Sequence, residues 1–282
     1  MNLTRNIVLV GTQDGVNSKF VTHLEPIKIH ANEGLALKSI FHGPVFNITK
    51  YNNVIYFRTE LPMGYNDDNQ TSLEIKKKLN MPSSQDEFAI QYSYDYFEME
   101  EGFYKSTSDI LKVITKAFIQ KFPSNRTYYT KPPRLQTDLV RGEVDLKISA
   151  KDVDILLHDE SPWLLLGVKN SSKMIKNGVV LRIKANDYQN CSLPAFVYVN
   201  IVENSYLNGR LSRNLTVVPL TMMQSWSYHE FKHPTYVPIE VKQFSNILVE
   251  LRDLNGNLIM FDPKYKTVIT LHIKPIKGLL HC

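Results

Sequence analysis

The chain has 282 residues, of which 43% are hydrophobic and 22% charged, and its formal net charge is +5. This composition is that of a globular protein and excludes a disordered or collagen-like chain. The positive excess is too small to indicate nucleic-acid binding, which usually needs Lys and Arg concentrated on one face. The 15 Tyr and 13 Phe residues favour pleated, half-buried surfaces. The composition therefore predicts a β-rich protein.

The cysteines and the amino terminus indicate the compartment. Only Cys191 and Cys282 are present, too few for a disulfide-stabilised secreted scaffold, so a reducing environment is expected. The apolar run at 7–10 is too short for the core of a signal peptide. No segment approaches the roughly 18 apolar residues of a membrane span. We expect a soluble, intracellularly made protein with no direct membrane span.

Short apolar runs rich in β-branched and aromatic residues, bounded by turn residues, predict strands along most of the chain. In chain order they are residues 7–10, 24–30, 34–41, 54–57, 90–96, 144–148, 163–168, 179–183, 195–202, 246–252, 258–261 and 267–273. Asn255-Gly256 predicts a two-residue turn, with positive φ at both positions, between the runs at 246–252 and 258–261.

One segment has helical periodicity instead. Between 108 and 121 the apolar residues recur at spacings of three and four, which predicts an amphipathic helix capped by Ser106 or Ser108 and stopped by Pro123. A shorter helix is expected over 72–79. Linker-like stretches at 62–70 and 131–134 bracket this middle region. About ten strands around one clear helix predict a mainly β protein, a jelly-roll β-sandwich with a helix-containing insertion.

The sharpest chemical motif is His229-Glu230-x-x-His233, which fits the H-E-x-x-H pattern of zinc metalloproteases. That chemistry requires both histidines on one helix face, four residues apart, with the glutamate activating water. Pro234 follows at once and pushes His233 out of helical conformation. A third ligand would have to come from Glu250 or Asp253, in a predicted strand and turn. We therefore expect a surface loop between strands here.

The remaining motifs are weaker. Asp152 with Asp154, and Asp67 with Asp68, lack the glycine and further carboxylate of a Ca²⁺ loop, which favours solvated loop charge. The segment 11–15 has no phosphate-binding signature. Cys191 is expected to be a buried structural thiol, and the basic run 76–78 a solvated helix face. The sequence thus predicts no catalytic, cofactor-binding or metal site.

A series of short motifs resembles a known family. The motifs lie at 18–20, 24–29, 34–37, 47–48, 101–106, 196–202, 215–219, 233–238, 247–256, 260–261 and 268–273. None is specific alone, but their order extends over most of the chain. Together they resemble the minor capsid (penton) proteins of Polinton/Maverick elements, adintoviruses and virophages. Two departures mark a divergent member. Residues 34–46 contain no tryptophan where a tryptophan-rich stretch is expected, and Ile273-Lys274 follows His272 where the family usually has Phe-Arg.

The resemblance implies a jelly-roll subunit that forms a homopentamer at the fivefold vertices of an icosahedral capsid, flanked by double-jelly-roll major capsid protein. Residues 1–60 and 190–282 would form the jelly-roll base, and 61–189 an α/β insertion projecting from it. It further implies no enzymatic activity, no cofactor and no small-molecule substrate, and a place in the virion after assembly in the host nucleus or cytoplasm.

Two other functions remain open from the sequence. One is a zinc-dependent hydrolase using His229, Glu230 and His233. The other is a cellular jelly-roll binding module, such as a carbohydrate- or receptor-binding domain, which exposed aromatic residues in a groove would favour.

Overall fold

The chain forms two compact units, Met1–Phe46 with Gln189–Cys282 (the first unit) and Asn47–Tyr188 (the second unit). The structure is a computed structural model, and it describes residues 4–11, 18–61, 69–81, 90–121, 135–140, 143–148, 153–168, 174–175, 180–184, 186–188, 191–207, 210–222 and 225–276.

Among the described residues, strands dominate both units and two helices lie in the second. In chain order the elements are β1 (Arg5–Val10), β2 (Lys19–Lys28), β3 (Glu33–His42), β4 (Val54–Glu60), α1 (Gln70–Lys78), β5 (Tyr92–Glu98), α2 (Thr107–Lys121), β6 (Leu135–Val140), β7 (Glu143–Ile148), β8 (Val153–Leu156), β9 (Met174–Ile175), β10 (Val180–Lys184), β11 (Ser192–Val199), β12 (Ser205–Leu207), β13 (Arg210–Ser212), β14 (Asn214–Thr221), β15 (Ser227–Glu230), β16 (Val237–Pro238), β17 (Gln243–Arg252) and β18 (Val268–Pro275).

The first unit is a jelly roll. One sheet has the strand order β1-β18-β3-β15, with the short β16 also paired to β3, and the other has the order β14-β11-β17-β2. All the pairings in both sheets are antiparallel. Successive long strands alternate between the two sheets, except that β11 and β14 pair in the same one. Eight strands wound in this way give the double-sheet architecture that the sequence predicts, and the predicted fold class is confirmed.

The two sheets share one apolar core. Because side chains alternate along a strand, every second residue faces the opposite sheet. Leu9, Ile40 and Leu271 contribute from one sheet, and Phe20 and Val197 from the other, all almost completely buried. Complete burial of one such side chain stabilises the fold by about 1.5–3 kcal/mol.

The second unit is built around the sheet β5-β4-β8-β9, with a helix against each face. On β4, Ile55 and Phe57 are buried with Ile114 and Phe118 of α2. The residue between them, Tyr56, is buried on the other face with Ile75 of α1. The alternation of β4 thus fixes which helix covers which face. A second sheet of this unit has the order β10-β7-β6.

The sequence placed the first domain boundary too late. It assigned residues 1–60 to the jelly-roll base, whereas β4 pairs with β5 and β8 inside the second unit. Residues 47–60 therefore belong with the helices. At the other end the units divide between Tyr188 and Gln189. A strand-like pattern does not predict which sheet a strand will join, since tertiary contacts determine its pairing partners.

Both predicted helices are present. α2 begins at Thr107, and the Ser106 hydroxyl accepts a hydrogen bond from the Asp109 backbone N–H at 3.3 Å, so Ser106 acts as its cap. α1 runs over Gln70–Lys78 and is capped by Asn69, whose side chain accepts from the Thr71 N–H. Within the described residues, neither helix is long and apolar enough to cross a bilayer. Of the linker expected at 62–70, residues 62–68 lie outside the described residues, and Asn69 and Gln70 cap and begin α1 instead. The linker expected at 131–134 also lies outside the described residues.

Two predicted strands are wrong. Residues 163–168 form a turn in which Trp163 and Leu166, three residues apart, are both fully buried, and Gly167 has φ of +79°. Residues 258–261 make only isolated bridges, Leu258 to Arg252 and Phe261 to Val45. Short apolar runs do not distinguish a strand from a buried turn.

The turn at Asn255-Gly256 also differs from the prediction. Gly256 has φ of +84°, but Asn255 is not among the described residues with positive φ. The Asp253 carboxylate closes this turn by accepting hydrogen bonds from the Asn255 and Asn257 backbone N–H groups at 2.9 and 2.8 Å. Hydrogen bonds to the Asp253 carboxylate therefore stabilise the turn without the positive φ that the sequence predicts at Asn255.

We expect Gly43→Ala to lower the free energy of unfolding by about 1–3 kcal/mol, because a Cβ there would lie 2.6 Å from Cβ of Tyr265 and force the loop to shift. Gly102→Ala is the matched control, since its new Cβ would have no neighbour nearer than 4.0 Å. Urea unfolding followed by circular dichroism compares the two variants. Equal stabilities would show that the Tyr265 contact does not constrain this turn.

Candidate functional site

The H-E-x-x-H segment does not form a helix. His229 and Glu230 lie in the edge strand β15, paired with Ile40 and Ser39 of β3, and His233 follows in a bend. The zinc chemistry needs His229 and His233 one helical turn apart, with Glu230 beside the metal-bound water. On a strand, consecutive side chains point to opposite faces, so Glu230 is turned away from any water held by His229. The prediction of a loop is correct for His233 and wrong for the other two residues.

The third ligands considered for zinc are engaged elsewhere. Glu250 lies in β17, where it accepts two hydrogen bonds from Arg252 and forms an ion pair with Lys19. Asp253 closes the turn described above. In the part of the chain that the structure describes, no three His, Cys, Asp or Glu side chains lie close enough together to hold a metal ion.

His229 is the inward-facing histidine of this segment, and its ring stacks on that of a buried histidine, His42. The rings of His229 and His42 are 6.2 Å apart and 12° from parallel, and the ring of Phe261 lies 5.3 Å from His42 on another side. His42 is 1% exposed. Its Nδ1 lies 2.7 Å from the Gly43 carbonyl oxygen, which accepts a hydrogen bond from the Nδ1–H group, so that Nε2 is the unprotonated nitrogen of the neutral ring.

This environment favours the neutral form of His42. Burial lowers the pKa of His42 below its ordinary value of 6.5, the hydrogen bond to the Gly43 carbonyl partly opposes that shift, and repulsion from His229 adds to it. Nε2 of His42 has no hydrogen-bond partner among the described atoms. A proton on Nε2 would thus place an unpaired charge inside the jelly-roll core, next to β15.

No motif in the sequence identifies His42. A signal does exist in β3, where the period of two places His42 on the same face as the buried Ile40. Leu35, further along the strand, is also buried. The stacking partner could not have been found in this way, because it depends on β15 pairing with β3 across about 190 residues of chain.

The other residues singled out in the sequence are distributed over both units, and some lie outside the described residues. Asp154 forms an ion pair with Arg58 at 2.9 Å, and the Arg58 guanidinium lies 3.8 Å from the centre of the Tyr92 ring. Cys191 is exposed, so the expectation of a buried thiol is wrong. The Gly11 backbone N–H donates to the Thr267 carbonyl. Asp152, Asp67 with Asp68, residues 12–15 and Cys282 lie outside the described residues.

The basic run at 76–78 belongs to α1, and its last residue takes part in a polar cluster. Lys78 donates to the Tyr56 hydroxyl at 2.9 Å and to the Glu160 carboxylate at 2.6 Å, and the Tyr56 hydroxyl donates to the same carboxylate at 2.6 Å. Burial and the bond to Glu160 raise the pKa of Tyr56, so its hydroxyl is poorly suited to act as a nucleophile. The cluster fastens α1 to the sheet of the second unit.

The first unit presents an apolar surface on the outside of the β1-β18-β3-β15 sheet. Directly paired residues of an antiparallel sheet lie on one face. Val10 pairs with Val268, Val268 with Phe41, and Phe41 with Tyr228, so one row of apolar side chains crosses all four strands. The Trp226 ring stacks on Phe41 at 5.4 Å. We call these five residues, together with Val8, the outer patch.

We expect the stability of the protein to fall as the pH drops below about 6.5. In that range His42 binds a proton in the unfolded chain, whereas its lowered pKa opposes protonation in the folded protein. The loss should continue until the pH falls below the lowered pKa of folded His42. His42→Gln should reduce this slope, since glutamine does not titrate. Thermal unfolding midpoints between about pH 7.5 and 5.5 measure it.

His30→Gln is the control for this experiment, because the His30 side chain is exposed. It should leave the pH dependence of the wild type in place. A His42→Gln protein whose midpoint falls with pH as steeply as that of the wild type would contradict the assignment of this effect to His42.

Comparison with known proteins gives distant structural similarity alone. No protein-family model matches the chain, and no curated protein sequence matches it. Among solved structures, the chain is similar to the crystal structure of the selenomethionine-labelled penton protein of mavirus, with 10% sequence identity and a TM-score of 0.45. The match covers 98% of this chain and 100% of the mavirus chain. The similarity is low, and the jelly-roll assignment rests on the strand order itself.

Proposed function

We propose that this protein is a structural capsid subunit: a penton, or minor capsid, protein of the Polinton/Maverick, adintovirus and virophage group. In this role five copies form a ring at each icosahedral vertex, flanked by double-jelly-roll major capsid protein. The protein acts through its surfaces and not through catalysis. It resides in the virion after assembly inside the host cell.

The observation that carries this proposal is the strand order of the first unit. The sequence motifs that resemble penton proteins imply a jelly roll with a helix-containing insertion. The first unit has the strand orders β1-β18-β3-β15 and β14-β11-β17-β2, and all of Asn47–Tyr188 is inserted between β3 and β11.

The positions of those motifs give further support. The stretches at 196–202, 215–219, 247–256 and 268–273 fall on β11, β14, β17 and β18 respectively. Motifs that carry a family resemblance thus coincide with jelly-roll strands and their ends. We assign the jelly-roll base to the first unit and the insertion to the second, with the domain boundaries moved to the boundaries between the two units.

A surface role suits the chemistry of the described polar groups. The inward-facing histidines are stacked in the core, and the polar cluster at Tyr56 is closed by hydrogen bonds among its own members. By contrast, exposed aromatic residues are a common feature of protein–protein contacts, in which Tyr and Trp are enriched. Trp226 and Tyr228 are each more than half exposed.

We expect the purified protein to form a species of five times 32.5 kDa that carries no metal, because a fivefold ring is a closed heterologous assembly. Native mass spectrometry reports the subunit number and any bound metal in one spectrum. If the isolated protein is monomeric and metal-free, the number of copies at each vertex is determined instead in particles assembled with the major capsid protein. Electron microscopy then locates the subunit.

A stable dimer, or a monomer with one stoichiometric zinc ion, would contradict the proposal, and the zinc would favour the hydrolase that uses His229, Glu230 and His233. Glu230→Gln serves as the matched control, because it removes the general base of that hydrolase while leaving the jelly-roll core intact. Under the proposal, this variant keeps the subunit number of the wild type.

A further inference from the structure

We infer that the outer patch of the first unit is the surface on which a second copy of this chain docks. This inference rests on the proposed function, since it names one side of the subunit contact in the ring. The patch consists of Val8, Val10, Phe41, Trp226, Tyr228 and Val268.

The patch is continuous, which scattered exposed apolar residues are not. Its central row extends from the edge strand β1 through β18 and β3 to the opposite edge strand β15. Val8 is two residues from Val10 on β1 and therefore lies on the same face. Trp226 extends the row beyond β15 by stacking on Phe41. The apolar side chains thus cross the full width of the sheet.

The area of the patch is close to what one side of a stable interface needs. Trp226 and Tyr228 are 56% and 54% exposed, and Val8 and Val10 are 59% and 46% exposed. With about 200 Å² for each aromatic side chain, the exposed apolar area including Phe41 and Val268 is on the order of 400 Å². A standard interface buries about 800 Å² per partner, a little over half of it apolar.

The distribution of charge around the patch resembles that of an interface. The central row contains no charged side chain. The next row on this face contains Thr270 and Ser39 and ends at the exposed Glu230. Further along the sheet, Lys38 and Lys274 lie close enough to His272 to lower its pKa, after the larger effect of burial. An apolar centre with a polar and charged rim is the usual arrangement where two proteins meet.

The geometry favours a second copy that presents a different surface. If two outer patches packed against each other, the contact would be isologous and would close as a dimer. Contact between the outer patch and another face of the next copy is heterologous and can close as a ring. Each subunit then uses one outer patch in one contact, which agrees with the estimated area. β15, at the edge of the sheet, lies at the border of this contact.

Tyr228→Ser and Trp226→Ser test the inference in the full-length protein. We expect each variant to lose the oligomer at concentrations at which the wild type is assembled, with at least about a 30-fold rise in the subunit dissociation constant. Val8→Lys, on the other edge strand of the same patch, should do the same. Native mass spectrometry and sedimentation measure subunit number. Circular dichroism and the thermal midpoint should show that the variants remain folded, because these side chains lie outside the core.

Tyr206→Ser is the matched control. Tyr206 is 78% exposed, on the β12–β13 hairpin, where it pairs with the exposed Leu211. This variant should assemble like the wild type. Folded outer-patch variants that stay assembled, or a Tyr206→Ser protein that dissociates equally, would overturn the inference. A wild type whose copies do not contact each other either alone at any concentration or in particles assembled with the major capsid protein would also overturn it.

The same experiment separates the two proposals. The subunit number of the wild type tests the proposed function, and the difference between wild type and outer-patch variants tests the docking surface. A wild-type pentamer that Tyr228→Ser leaves intact refutes only the docking surface. A wild-type trimer that dissociates in the Tyr228→Ser variant refutes the pentameric vertex but supports the docking surface.

Discussion

The packing of two antiparallel sheets against each other is the interaction on which the rest of this structure depends. Phe20 and Val197 from one sheet and Ile40 and Leu271 from the other are removed almost completely from water. Such burial is the dominant favourable term in folding. It also fixes the register of the strands, because a shift by one residue would turn every apolar side chain outward. All the surfaces of the first unit follow from that register.

On β3 and β15 the same alternation separates two kinds of feature. The inward positions hold His42 and His229, whose stacked rings place titratable groups within the fold. The outward positions next to them hold Phe41 and Tyr228, which belong to the outer patch. A pH-sensitive core position and an apolar docking face are therefore adjacent on the same two strands. Protonation inside the core and contact on the outside would both act on β15.

The insertion follows the same physical rule on a smaller scale. The alternating residues of β4 are divided between two helices, with Phe57 on the side of α2 and Tyr56 on the side of α1. The polar end of Tyr56 is satisfied by Lys78 and Glu160. An independent core of this kind explains how so large a segment can lie between two consecutive jelly-roll strands.

The sequence by itself determined the local structure: strands from alternation, as in β17 and β18, the helix α2 from its apolar stripe and the Ser106 cap, and the mainly β class. It also led to the jelly roll through the order of its motifs. The tertiary structure decided what depends on distant pairing, namely that 47–60 joins the second unit, that the apolar run at Trp163 is a buried turn, and that His42 meets His229. Periodicity records which side of an element is apolar, whereas these features depend on which element covers that side, and only the folded chain brings the two together.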